Sequence, residues 1–431
     1  MKSVAVLRLS LLLLPAVLAA QTTGMLNLYP PNPADEQAEL NQAIADANGS
    51  SVDITRALEQ HLRKYPNSAR RADIEASLYK TATDSNDHAR IIAYGERLLI
   101  GKPGNELEIL DRVIRALLAS DDRESATKAL GYCARYEAGV ADFRAKPPEG
   151  HTTAAQWADL ADRALARATV LEARATGNLG SPENAVQSAR RSWDANPTAE
   201  SAHEMARWLV KLGRVGDAID RYADAVMIDD PRSPWSDRER DRKIATDLYV
   251  KAHGSTQGLG DLFQQAWDRD AVALRDRVAR YKAIDPNYCV TDTFGFVLPS
   301  LDKSSLDMST LKGKTLVVDF WATWCAPCIA QHPLIEHVRR KYSESADVVF
   351  LSLDADDDHS LVAPFMAAQK WEQRVYLEAG LAGLLNVTSL PSILVIDPTG
   401  KIYSRMMGFN TDSFERMLSS RIDEARALAA K

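Results

Sequence analysis

Cys325 and Cys328 stand three residues apart just beyond an apolar run, Thr315-Leu-Val-Val-Asp-Phe-Trp321, and this pairing restricts the fold more than anything else in the chain. A run of that composition reads as a buried strand. It delivers the first cysteine to the start of a helix expected over 326–342, where unpaired N–H groups and the macrodipole favour a thiolate. The second cysteine lies one turn inward, close enough to bridge. A helix N-terminus in such a pair brings a thiol from about 8.5 to around 7 or below, so Cys325 reads as the attacking sulfur and Cys328 as the resolving one. Pro327 suits the first helical turn, where its missing N–H costs nothing. A bare Cys-x-x-Cys is also half of a zinc site, which needs two further ligands, usually a second Cys/His pair. The other two of the four cysteines are single and distant, and His332, His337 and His359 lack zinc-ligand spacing. Trp324 before the first cysteine and Pro327 between the two favour redox chemistry over metal.

Around this motif the texture is α/β. Residues 348–354 and 392–397 read as further strands, and Pro398-Thr399-Gly400 turns the chain into another at 401–405. Helices are expected at 326–342, 360–370, 381–385 and 411–428. Strands alternating with helices and ending in a hairpin imply a mixed sheet.

Upstream, from about residue 35 to 284, the sequence is rich in Ala and Arg with helix-period apolar spacing. Ala202, Met205, Ala206 and Leu209 share one face; Leu212-Gly213 ends that helix, and Ala218, Tyr222 and Ala225 mark the inner face of the next, which Pro231 stops. Pro197 lies 34 residues before Pro231, the tetratricopeptide (TPR) period. Gly180 takes the preceding turn, with Ala185 and Ala189 at the small inner positions. Weaker copies are expected at Ala89 and Ala93 before Pro103, and at Ala126, Leu130 and Cys133 after Leu110, Val113, Ile114 and Leu117. Pro66 closes a candidate earlier unit, and Pro147-Pro148-Glu149-Gly150 interrupts the array. Such arrays offer a concave surface to a protein ligand, or else buttress a neighbouring domain. The charged stretch 236–243 reads as a solvated helix start.

The first twenty residues have a basic start, a short apolar stretch broken by Pro15, and small residues at Ala19 and Ala20. This is a secretory signal peptide rather than a membrane span, which takes about 20 apolar residues. No cysteine follows directly, so a lipid anchor is not expected. With Lys+Arg at 52 against Asp+Glu at 59, a formal charge of −7 and no basic block, there is no electrostatic footprint for nucleic acid. Outside the cytosol a reactive dithiol must be supplied with electrons or act as an oxidant.

The stretch 318–328, Val-Asp-Phe-Trp-Ala-Thr-Trp-Cys-Ala-Pro-Cys, resembles the thioredoxin superfamily, specifically its exported TlpA/ResA-like branch. Leu311-Lys-Gly-Lys314, Pro333, Leu390-Pro391-Ser392, Ile396-Asp397, Gly400 and Gly408 fit the same branch, and the resemblance spans about 291–418. It implies a thioredoxin fold with Pro391 as the cis-proline facing the dithiol, blocking metal capture and offering backbone for substrate docking beside Leu390 and Trp324. It implies also that Asp319, six residues before Cys325, is a buried carboxylate that relays the resolving cysteine's proton through water; burial favours a base working near neutral pH. Thioredoxins place a Lys near that Asp on the following strand, where this chain has Phe350. The branch commonly has Glu where this chain has Gln331.

The expectation is therefore a multidomain chain: signal peptide 1–20, an all-α TPR-like helical repeat region 21–285, and an α/β thioredoxin fold 286–431. No cofactor or metal is expected. The leading function is an exported, periplasmic or otherwise extracytoplasmic, thiol–disulfide oxidoreductase, reducing protein disulfides with electrons from a membrane thiol–disulfide reductase. The competing class is a TPR scaffold whose dithiol is a redox switch. Asp354, Asp356 and Asp358 sit at calcium-loop offsets, but His359 replaces the required Gly and Phe365 the bidentate Glu. Ala322 stands where a peroxidatic site wants Thr or Ser. Cys133 and Cys289 either join the two regions by a disulfide or remain free, Cys133 at a small inner repeat position.

Overall fold

The structure, a computed structural model, describes residues 33–101, 104–120, 122–148, 152–408 and 413–428. The signal peptide, Pro103, Glu149-Gly150 and the first residues of the last expected helix lie outside the described residues. Among the described residues twelve helices come first: α1 (Pro33–Asp46), α2 (Ser51–Lys64), α3 (Arg71–Asp84), α4 (His88–Ile100), α5 (Glu106–Leu117), α6 (Arg123–Ala145), α7 (Ala154–Asn178), α8 (Pro182–Ala195), α9 (Ala199–Lys211), α10 (Val215–Met227), α11 (Trp235–His253) and α12 (Leu259–Lys282). The chain divides after Thr81 into two compact units. In the smaller one, α1 packs on α2, and Glu36 Oε1 meets the His61 ring at 3.0 Å.

In the larger unit each helix from α4 to α10 packs on the next. Gly180 (φ 94°) and Gly213 (φ 74°) make the left-handed turns between α7 and α8 and between α9 and α10, a conformation that costs other residues a steric penalty. Ala185, Ala189, Ala202, Ala206, Ala218 and Ala225 are all fully buried, and small side chains there let helix axes approach. Thr198 caps α9 through a hydroxyl that accepts from Ser201 N at 3.1 Å. Helix α4 differs from expectation: Ala89 and Ala93 are exposed, and Ile91, Tyr94 and Leu99 are buried instead. Large residues carry that inner face, so it lacks the close small-residue packing of α8 and α10. After α11, α12 packs back on α10 and α7, and Arg277 of α12 pairs with Asp159 of α7. Among the described residues no helix is long and apolar enough to cross a membrane.

Asn287 begins the second region of this unit. Its Nδ2 donates to Val297 O (2.9 Å) and Ala379 O (3.2 Å), and its Oδ1 accepts from Val297 N at 2.7 Å. Strands β1 (Val297–Pro299) and β2 (Ser305–Asp307) form a small antiparallel pair. The main sheet comprises β3 (Thr315–Trp321), β4 (Val348–Asp354), β5 (Val375–Leu377), β6 (Ser392–Ile396) and β7 (Ile402–Met407), in the order β5-β4-β3-β6-β7. β3 runs parallel to β4 and antiparallel to β6, the mixed sheet of a thioredoxin fold. Helices α13 (Ala326–Lys341), α14 (Val362–Gln369), α15 (Leu381–Leu384) and α16 (Phe414–Arg426) complete it.

Strand β3 is buried at every residue, because both faces are covered. Leu316, Val318 and Phe320 point into one core with Leu351, Leu353, Leu394 and Ile396. Val317 points the other way, with Val395, Ile335 and Val338 of α13, and Leu418 and Ile422 of α16. The two-residue period of a strand therefore places Asp319 on the second face, beneath α13.

Candidate functional site

Strand β3 ends at Trp321 and helix α13 begins at Ala326, so Cys325 occupies the N-cap. Its sulfur accepts from the backbone N–H of Cys328 at 3.3 Å, one of the donors that the first helical turn leaves free. That N–H favours the sulfur when it carries negative charge. Cys325 and Cys328 are joined as a disulfide with Cα atoms 5.2 Å apart, and both are 4% exposed. Trp324 beside them is 70% exposed, and Pro327 lies in the first turn. The five-residue stretch 324–328 thus presents an aromatic side chain to solvent while sheltering its sulfurs.

Three further elements meet here. The Leu390–Pro391 peptide, leading into β6, is cis; Pro391 is buried and Leu390 packs on the cluster that holds both cysteines. The loop after β4 supplies Asp356, whose carboxylate accepts from Thr323 N at 2.7 Å and from the Thr323 hydroxyl at 2.8 Å. Behind it, buried Asp354 accepts from Asp356 N at 3.1 Å and meets the His359 ring at 2.6 Å; burial pushes the Asp354 carboxyl up to about 6. The acidic run is thus a strut for the active-site loop. The third element is aromatic: Trp321 donates its indole N–H to Ser352 Oγ at 2.8 Å and meets Trp371 edge-on at 5.1 Å.

Asp319 is 8% exposed and has no hydrogen-bond partner among the described residues. Burial, reinforced by the Glu336 carboxylate, pushes it up to about 7. It pairs in register with Ser352, while Phe350 pairs with Val317 on the same face. Phe350 lines a cavity of about 180 Å³ together with Asp319, His332, Glu336 and Arg339, so no lysine reaches Asp319 from β4. Gln331 is buried, donates to Gly408 O at 3.5 Å, and leaves its Oε1 without a partner.

The structure thus gathers Cys325, Cys328, Trp324, Pro327, Leu390 and Pro391 at one end of the sheet, with Asp319 one layer below. Asp356, His332 and Trp371 were not legible as site residues. His332 stands four residues after Cys328, a spacing that puts it on the same helix face, and that was the available signal. Cys133 and Cys289 are both free thiols, the first buried and the second exposed, which settles the open choice against a disulfide between them.

A family model described as Redoxin matches residues 282–422. The thiol-disulfide oxidoreductase ResA of Bacillus anthracis is 31% identical over 128 residues, covering 29% of this chain and 69% of that protein. ResA of Bacillus subtilis (strain 168) is 29% identical over 125 residues, 28% of this chain and 69% of that protein. Among solved structures, a thiol:disulfide interchange protein of the thioredoxin family from Chlorobium tepidum is 23% identical, covers 30% of this chain and 92% of its own, and has a TM-score of 0.27.

Proposed function

The chain belongs to the ResA-like thiol–disulfide oxidoreductases through its C-terminal third, and from that premise we propose that it is an exported enzyme that reduces protein disulfides. The observation that carries this reading is the cap geometry: one sulfur seated on a helix N-terminus with an N–H aimed at it, its partner one turn inward, and exposed Trp324 and the Leu390–Pro391 segment alongside.

Reduction proceeds in two displacements. The Cys325 thiolate attacks a substrate disulfide, forming a mixed disulfide and expelling one substrate thiolate. Cys328 then loses its proton and attacks Cys325 Sγ; the internal disulfide forms and the second substrate sulfur leaves with the electron pair. Asp319, buried and ionising near neutrality, is the base for the Cys328 proton. Trp324, Leu390 and Pro391 form the surface on which an extended substrate segment docks. The oxidised pair is reset by an electron-donating membrane thiol–disulfide reductase, because an extracytoplasmic dithiol has no thiol pool to draw on. The helical repeats recruit a protein partner, a client or that donor.

The test is the reduction potential of Cys325/Cys328 in the signal-free chain, equilibrated in glutathione or dithiothreitol buffers. A value near or below about −250 mV supports a reductase, whereas one near −120 mV makes the protein an oxidant that introduces disulfides. A pair that never equilibrates overturns the enzyme reading and leaves only a repeat scaffold.

A further inference from the structure

Asp319 shares its cavity with one other side chain able to exchange a proton near neutrality. His332 lies one turn along α13 from Cys328, and residues four apart on a helix are neighbours, their Cβ atoms about 5–6 Å apart. Its ring stacks on Trp371 at 3.6 Å and 22°, and Trp371 packs in turn on the cluster that contains Cys325 and Cys328. That stack fixes the imidazole plane. Both His332 and Asp319 line the cavity, and neither has a hydrogen-bond partner among the described residues.

We infer that His332 is a proton-relay residue of the resolving step, carrying the proton of Cys328 between Asp319 and solvent. This rests on the oxidoreductase reading above and assigns a residue that the reading does not use. When Cys328 attacks the mixed disulfide, its S–H bond breaks, the Cys325–Cys328 bond forms, and the electron pair of the old bond departs on the substrate sulfur. The proton passes through cavity water to the Asp319 carboxylate, then to His332 and out; the substrate thiolate takes its own proton from solvent.

The other charged groups facing His332 are already committed. From α13 itself, Glu336 and Arg339 pair with each other at 2.6 Å. From the segment before β5, Arg374 pairs with Asp302 at 2.8 Å. Strand β4 contributes Phe350 and Ser352, neither charged, and β3 contributes Asp319. Burial holds the His332 imidazole below its ordinary 6.5, so near neutral pH it is an uncharged ring with one nitrogen to accept and one to donate.

The experiment uses the full-length chain carrying Cys289→Ser, so that this exposed thiol takes up no glutathione; the reduced chain is mixed with glutathione disulfide, quenched with acid at intervals, and its mixed and internal disulfides are counted by intact mass from pH 5 to 9. His332→Phe keeps a ring on Trp371 without a titratable nitrogen, and His332→Gln keeps hydrogen bonding without an ionisation. Both variants are expected to form the mixed disulfide at the wild-type rate, resolve it about tenfold more slowly near pH 7, and lose one ionisation from the resolution profile. His332→Gln carries the test if His332→Phe does not fold. A wild type that resolves normally, with variants keeping its profile, overturns the role of His332 alone. A wild type that never forms or never resolves the mixed disulfide overturns the oxidoreductase reading and the relay with it.

Discussion

A single carboxylate, that of Asp356, holds Thr323 at both its backbone N–H (2.7 Å) and its hydroxyl (2.8 Å), two residues ahead of Cys325. Asp356 is itself 4% exposed, and its own backbone N–H is tied to Asp354 at 3.1 Å. The turn that delivers Cys325 to the helix is therefore braced by the neighbouring strand's loop as well as by its own residues.

Removing that brace should loosen the turn. Asp356→Ala strands two donors of Thr323, and each hydrogen bond to a charged group contributes about 1.5–3 kcal/mol. Thr323 is half-buried, so water takes up part of the summed loss and the expected cost in the oxidised chain is about 2–4 kcal/mol, read as a lower urea midpoint, with slower attack of Cys325 on glutathione disulfide. A variant with the wild-type midpoint would mean that the loop holds its shape without Asp356.

Asp319 makes stability depend on pH in a defined direction. In the folded chain it keeps its proton up to about 7, whereas unfolded it releases it near the usual value of about 3.9. Between those values the folded state binds the extra proton, so stability falls as pH rises through the window, by roughly 4 kcal/mol in all. Asp319→Asn is expected to flatten that slope: close to wild type at pH 4, more stable at pH 8 in urea titrations. The same variant should resolve its mixed disulfide roughly a hundredfold more slowly at pH 7. Parallel wild-type and variant stability curves would place the buried proton elsewhere.

What could be read from the chain follows from how local each signal is. Strands β3 and β4 begin and end where the sequence puts them, because each is a seven-residue run dominated by apolar side chains, β3 buried throughout and β4 buried or half-buried. Strands β1, β2 and β5 have three residues each, too few for an alternation to register. The dithiol was legible because the apolar strand run before it, the spacing, Trp324 and Pro327 together put it on a helix start. Its supports were not: Asp356 reaches Thr323 across 33 residues, and Trp371 meets His332 across 39. The repeats α7 to α10 were legible through small residues and positive-φ glycines, but the return of α12 onto α7 depends on the Arg277–Asp159 pair 118 residues apart.

Gly177 gives a sharp test of the packing between α7 and α9. A Cβ there would lie 2.2 Å from ring atoms of Trp208, which is 4% exposed and donates its indole N–H to Glu204 at 3.1 Å. The ring cannot swing away without giving up that bond. Gly177→Ala should cost about 1–3 kcal/mol or more by overpacking, outweighing the gain of up to about 1 kcal/mol expected from Ala in a helix. Thermal unfolding of the full chain reads the sign directly, and a raised midpoint would show that α7 and α9 can separate cheaply.

Thiol counting separates the four cysteines by environment. Cys133 is fully buried on α6, and burial drives its thiol far above the usual range, so it lacks both access and thiolate character. Cys289 is exposed, and Cys325 and Cys328 are joined. Alkylation of the oxidised native chain should therefore add one label, at Cys289. Denaturation without reductant should add a second, at Cys133, and reduction two more. Brief reduction of the native chain should expose Cys325 to the reagent before Cys328, because Cys325 occupies the N-cap and Cys328 lies a turn inward. Peptide mapping resolves each step. A native chain that takes no label, and a denatured one that takes none until reduced, would instead require a disulfide between Cys133 and Cys289.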